Sequence, residues 1–303
     1  MSEFLLKTNG LTKKFKEQAA VDHVNIHVRK GDIYGFIGKN GAGKTTFLKM
    51  VSGLSHPTSG EIELFGYTGA ELGKVYSRIG TLIEAPGLYP NMTAYENMNL
   101  KCLGIGVKDK SCIHEYLTLM GLENVKKKKV KNFSLGMKQR LGIAMAMVGE
   151  PDLLLLDEPI NGLDPEGIAK IRDILLRLNK EKNMTIIISS HILEELSKIA
   201  SMYGIINQGH LVQELSKEEL MTKCSERIEI LSPQTDMICT ILEEDFGIAD
   251  YKVVENDKVY IFEQLRKCSE INRKLANRGI QVNAIGINNE SLESYFLGLT
   301  GGM

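Results

Sequence analysis

Gly38-Lys39-Asn40-Gly41-Ala42-Gly43-Lys44-Thr45 fills every required position of the phosphate-binding loop GxxxxGK[ST]. Asp32 to Ile37 reads as a strand running into this turn, and Thr46 to Met50 reads as a helix leaving it. That strand–loop–helix setting is what the motif requires. The glycines let the backbone turn so that its N–H groups and the helix N-terminus face phosphate oxygens. Lys44 then holds the β- and γ-phosphates and the Thr45 hydroxyl ligates Mg²⁺, with Thr46 closing the cradle. The bland alternative, a glycine-rich turn ending in a surface lysine, loses ground to a second motif.

Leu153-Leu154-Leu155-Leu156-Asp157-Glu158 is an apolar run that delivers two carboxylates at its end. Alone it is weak, since such a run more often meets a solvated turn. About 110 residues after a complete phosphate loop, it leaves room for an inserted subdomain in a domain of ordinary size. Nucleoside-triphosphate hydrolysis needs one acid to fix the Mg²⁺ shell and another group to orient or deprotonate the attacking water. Asp157 suits the first role and Glu158 the second.

Outward from these motifs, Val24, Ile26 and Val28 alternate as a half-buried strand. From residue 91 to 150 the pattern turns helical, with Tyr95, Met98 and Leu103, then Tyr116, Leu117 and Met120, then Ile143 to Val148. Leu153 to Leu156 and Thr185 to Ile188 are strands of the kind buried on both faces. Between them Ile168, Ile171, Leu175 and Leu178 recur at helical spacing, which makes a parallel strand–helix–strand unit. The main domain, residues 1–222, is therefore α/β. Residues 226–303 change rhythm, with strands near 227–231, 251–254, 258–262 and 280–285 and helices near 235–244 and 264–277. That β-α-β-β-α-β order is the ferredoxin-like split arrangement.

Composition narrows the partners. Of 303 residues, 43% are hydrophobic and 25% charged, which excludes a disordered or fibrous chain. Lys+Arg 37 against Asp+Glu 38 gives a net charge of -1, arguing against a chain-wide grip on nucleic acid or anionic lipid. Lys126 to Lys129 reads as a solvated turn. Five cysteines without metal-ligand spacing point to a reducing compartment. Met1 to Leu11 lacks the apolar core of a secretory signal, and Leu141 to Leu156 is too broken by Glu150, Pro151 and Asp152 to cross a bilayer.

The order and spacing of these motifs over roughly the first 220 residues resemble the ATP-binding-cassette (ABC) ATPases. The resemblance implies a P-loop NTPase core with an antiparallel β subdomain and a helical subdomain, plus a small α+β C-terminal domain. It implies that Phe15 stacks on adenine and that Ser134 and Gly136, in Phe133-Ser134-Leu135-Gly136-Met137-Lys138-Gln139-Arg140, stand in the signature sequence normally written LSGGQ. Met137 and Lys138 depart from that pattern. Ser134 reads as a helix N-cap forming an anion site. In the family that site meets the γ-phosphate held by a second subunit, so two ATPs are sandwiched in a two-fold dimer. Asn161-Gly162-Leu163-Asp164 is similar to the loop crossing that interface, and His191 to the switch histidine on the γ-phosphate.

Glu84, in Ile83-Glu84-Ala85-Pro86-Gly87-Leu88-Tyr89-Pro90, stands where most cassettes carry glutamine. It resembles the bacitracin and lantibiotic self-immunity branch, as do the proline-glycine-aromatic stretch after it and Ser291 to Phe296. By that resemblance Glu84 joins the Mg²⁺ shell and couples the site to the membrane partner. The expected protein is the ATPase subunit of an exporter of a peptide antibiotic, lantibiotic or similar amphipathic compound. It dimerises with ATP and sits on the cytoplasmic face of the membrane through separate permease subunits, with no nucleic-acid partner. The alternative is a soluble cassette protein acting on ribosomes or DNA, whose relatives carry two cassettes or a long coiled-coil insert that this chain lacks. A P-loop GTPase fits less well, because no Asn-Lys-x-Asp motif is present.

Overall fold

The computed structural model describes residues 4–125, 127–288 and 291–301. Lys126 of the four-lysine run and Met1 to Glu3 of the amino-terminal stretch lie outside the described residues, while Lys127 to Lys129 are exposed. The chain divides into two compact units, one made of Met1–Lys217 with Leu299–Met303 and one of Glu218–Gly298.

The first unit begins with β1 (Phe4–Phe15), β2 (Gln18–Val24), β3 (His27–Arg29), β4 (Ile33–Ile37) and α1 (Lys44–Val51), and then β5 (Ser59–Leu64) and β6 (Tyr67–Thr68). Strand β1 pairs antiparallel with β2, β3 and β5, and β5 pairs with β6, completing a five-stranded sheet. The alternation at Val24, Ile26 and Val28 does mark buried positions, but the strand is broken in two. Thr8 explains the break: its hydroxyl donates to the Val24 carbonyl (2.9 Å) and accepts from the Ile26 N–H (3.0 Å). One side chain thus satisfies backbone groups that a continuous ladder would have paired.

The unit continues with β7 (Ile79–Leu82), α2 (Ala94–Gly104), α3 (Ser111–Leu119), α4 (Leu135–Ala146), β8 (Leu153–Asp157), α5 (Pro165–Lys182), β9 (Thr185–Ser190), α6 (Leu193–Ser197), β10 (Met202–Asn207) and β11 (His210–Ser216). The second sheet runs β11-β10-β4-β9-β8-β7, parallel from β10 to β7 and antiparallel only at β11. Every residue of β4, β8 and β9 is buried, as their unbroken apolar runs require of strands covered on both faces. Because these three neighbours are parallel, their C-terminal ends share one edge, and the loops leaving them converge there.

Helix α2 starts at a capping box, in which the Thr93 hydroxyl accepts from Glu96 N–H and the Glu96 carboxylate accepts from Thr93 N–H. Its buried stripe is Ala94, Met98 and Cys102, whereas Tyr95 and Leu103, assigned to that stripe from sequence, are exposed. The i, i+4, i+8 row of smaller side chains faces inward because it matches the 3.6-residue period better than the Tyr95–Met98–Leu103 spacing. On α5, Ile171, Leu175 and Leu178 are buried as their spacing predicts, and Ile168 only partly.

Apart from the end residues Lys217 and Leu299, which count with the first unit, the second unit holds α7 (Lys217–Cys224), β12 (Arg227–Leu231), α8 (Thr235–Phe246), β13 (Tyr251–Val254), β14 (Lys258–Ile261), α9 (Cys268–Asn277), β15 (Ala284–Asn288) and α10 (Leu292–Leu299). Its antiparallel sheet has the order β13-β14-β12-β15, the ferredoxin-like arrangement. Helix α9 begins later than its sequence pattern suggests, because Leu265–Lys267 forms a separate 3₁₀ turn. The last strand is likewise displaced, with Ile280 serving as a core residue before it. Ile228, Ile230, Ile238, Leu242, Val259, Ile261, Ile271 and Leu275 make this unit's own core.

Candidate active site

The loop after β4 carries the phosphate-binding motif. Gly38 N–H donates to the Ser190 carbonyl (3.2 Å), tying the loop to the end of β9. Gly43 has φ 109°, and a Cβ there would lie 2.3 Å from the Ala20 carbonyl, so only glycine fits at the start of α1. Lys39, Asn40 and Gly41 are exposed, Ala42 is buried, and Thr46 is half-buried on α1. Lys44 is buried; its Nζ donates to the Gly38 carbonyl (2.6 Å) and the Lys39 carbonyl (3.2 Å). The same Nζ lies 3.1 Å from Glu158 Oε1. A desolvated cation is thus oriented by the loop's own carbonyls and by Glu158.

Asp157 is the last residue of β8 and only 4% exposed. Both its carboxylate oxygens are engaged: Thr45 Oγ1 donates to Oδ2 (2.7 Å) and Ser189 Oγ donates to Oδ1 (2.5 Å). Ser189 in turn accepts from Glu158 N–H (3.0 Å). Glu158 takes a left-handed backbone, φ 48°, a region that side chains other than glycine enter only when surrounding contacts over-determine it. This turn places its carboxylate between Lys44 and His191, whose Nδ1–H donates to Oε2 (2.9 Å). A carboxylate oriented by a cation on one oxygen and an imidazole on the other is poised to align water.

The Thr45 hydroxyl and Asp157 carboxylate, already 2.7 Å apart, are the hard oxygen donors that Mg²⁺ favours. Among the described residues no three acidic, histidine or cysteine groups converge as a full metal cage. Mg²⁺ commonly completes its octahedron with phosphate and water oxygens, so a two-residue protein contribution fits it.

The remaining candidates make other contacts. Glu84 lies just past β7, with φ 63°, and its Oε1 is ion-paired with Lys49 Nζ at 2.5 Å, on α1. Phe15 ends β1, 56% exposed, with Lys13 Nζ 5.3 Å from its ring centre. Ser134 is exposed at the N-cap of α4, its Oγ accepting from Met137 N–H (3.3 Å), with Gly136 half-buried behind it. Asp164 caps α5 through Gly167 N–H (3.0 Å), and Gly162 packs near Leu135. Lys39 Nζ reaches the carbonyls of Thr300 and Gly301, at 3.3 and 3.4 Å, in the carboxyl-terminal residues of the same unit.

Two residues of this site are not marked by the sequence motifs. Ser189 has a faint signal, since Ser189-Ser190 puts two hydroxyls at the end of an isoleucine run just before His191. Lys49 has none, because its partner is 35 residues away.

Residues 21–161 match the sequence profile of the ABC transporter family. The bacitracin transport ATP-binding protein BcrA of Bacillus licheniformis is 44% identical over 98% of this chain and 98% of its own length. The lantibiotic transport ATP-binding protein SrtF of Streptococcus pyogenes is 44% identical over 69% of this chain and 90% of its own. Among solved structures, the dimeric post-hydrolysis state of the ATP-binding cassette MJ0796 bound to ADP and Pi is similar with a TM-score of 0.63 and 27% identity. That match covers 70% of this chain and 98% of the other.

Proposed function

Because the chain belongs to the ABC transporter family, as an ATP-binding subunit that hydrolyses ATP, we propose that it energises export of a peptide antibiotic, lantibiotic or similar amphipathic compound through separate integral-membrane permease subunits. The observation that carries this reading is the match to a bacitracin transport protein across 98% of both chains, so that the second unit is included as well as the cassette. No helix among the described residues is long and apolar enough to cross a membrane, which agrees with a pathway supplied by other subunits. The chain then works from the cytoplasmic face, bound there through the permease.

In the proposed cycle Phe15 stacks on adenine, while the backbone N–H groups from Gly38 to Thr46 and the Lys44 ammonium hold the phosphates. Thr45 and Asp157, with Glu84 from its loop, would hold Mg²⁺, which when bound would supply positive charge to the phosphates. Glu158 orients the attacking water and accepts its proton, with His191 keeping the carboxylate in line. Ser134 and Gly136 of a second copy cover the γ-phosphate from the other side, so ATP favours the closed dimer and hydrolysis releases it.

Purification of the full chain from its native membranes tests the transporter reading. A permease should co-purify, and deleting the gene should raise sensitivity to a peptide antibiotic. Ribosomes or DNA in place of a membrane partner would overturn the reading.

A further inference from the structure

We propose that Lys49 is a positioning residue that holds Glu84 away from the metal position until Mg²⁺ and ATP draw it in; this rests on the reading above that Glu84 serves the metal. Lys49 lies four residues after Thr45 on α1, so the two side chains share a helix face about 5–6 Å apart at Cβ. The lysine that pairs with the Glu84 carboxylate thus leaves α1 one helical turn after Thr45, whose hydroxyl donates to Asp157. Its backbone is poised to change: φ 63° places a β-carbon-bearing residue in the left-handed region, just where the chain leaves β7. The chain bends at both Glu84 and Ala85, and Pro86 disfavours helical backbone at Ala85. The pair is partly exposed, 36% and 64% at the two side chains, so it is a weak hold, easily exchanged for a divalent cation. Weakness is what a competitor for the metal needs. The lysine also occupies the last turn of α1, where the helix dipole favours a cation after the carboxylate has left.

The test uses the full-length chain with a non-hydrolysable ATP analogue and Mn²⁺ as the metal probe, free Mn²⁺ being read by electron paramagnetic resonance. Lys49→Met should raise Mn²⁺ affinity about two- to fivefold at low ionic strength, the scale of an exposed pair. The gain should shrink in high salt, and Lys49→Arg should behave as wild type. In a Glu84→Gln background, where Mn²⁺ binds more weakly, Lys49→Met should add nothing. An unchanged affinity in Lys49→Met, with Glu84→Gln still weakening Mn²⁺ binding, overturns the role of Lys49 alone. The same gain in both backgrounds also overturns it, because Lys49 would then act on the metal directly. If Glu84→Gln leaves Mn²⁺ affinity intact, Glu84 is not a metal-shell residue and the underlying reading falls with the proposal.

Discussion

The neighbourhood of Asp157 and that of Ser134 are both built from strand or helix ends with polar side chains, yet they differ in how fully the chain satisfies them. Around Asp157, Thr45, Ser189, Lys44, Glu158 and His191 are joined by direct contacts, and Lys44 and Asp157 are buried. Around Ser134 a single N-cap bond is made, and Leu135 beside it is 48% exposed. A helix N-terminus has four N–H groups without intrahelical partners, and one side-chain cap satisfies only one. The first region is organised within one chain. The second leaves the start of α4 at an exposed Ser134, where the proposed cycle seats the phosphate of a second copy.

Three substitutions and one truncation probe that contrast. Glu158→Gln keeps the geometry and removes the base, so phosphate release should fall about 10²- to 10⁴-fold while ATP binding persists. Turnover near wild type would take the water-orienting role away from Glu158. Lys44→Ala leaves Glu158 without its buried cation and the phosphates without theirs; losses of this kind run to about 2–5 kcal/mol, or at least about 30-fold in ATP affinity by equilibrium titration. Unimpaired binding would break the picture of a self-sufficient inner region.

Ser134→Gly should act differently, since glycine as an N-cap costs only a few tenths of a kcal/mol. In a Glu158→Gln background, single chains should still bind ATP, but light scattering should show ATP-dependent dimers weakened by roughly tenfold, as expected for one charge-assisted hydrogen bond. Equal dimerisation with and without the Ser134 hydroxyl would remove the outward region's claim on a second copy. The smallest effect belongs to truncation after Ser225, which takes away the carbonyls that receive Lys39. Because the Asp157 cluster is untouched, ATP affinity should stay within about threefold, the worth of an exposed contact. A larger loss in a folded truncate would assign part of the nucleotide site to the later residues.

These contrasts also mark what the sequence discloses. The phosphate loop and the Leu153–Asp157 strand are legible because each is a local pattern with a fixed chemical demand, and a parallel sheet brings their ends together without further information. The ferredoxin-like order of the second unit is legible from its succession of strand and helix patterns, although its boundaries shift where a 3₁₀ turn precedes α9. The Thr8 hydroxyl that splits β2 from β3 is a contact across 16 residues, invisible to any periodicity. The same holds for Ser189 under Asp157 and Lys49 beside Glu84, whose spacing is set by the fold and not by a motif.

The residues Leu299–Met303 count with the first unit although the whole of Glu218–Gly298 precedes them, and this bears on how the protein is made. Synthesis is directional, and domains generally fold as they emerge, at about 5–20 residues per second. The phosphate loop, Asp157 and His191 are all translated well before Thr300, so they can come together on a nascent chain whose Lys39 has not yet met Thr300. The second unit must then be completed before the ribosome releases the residues that close the first. Nucleotide binding is thereby open to the chain before Thr300 and Gly301 bring their carbonyls to Lys39.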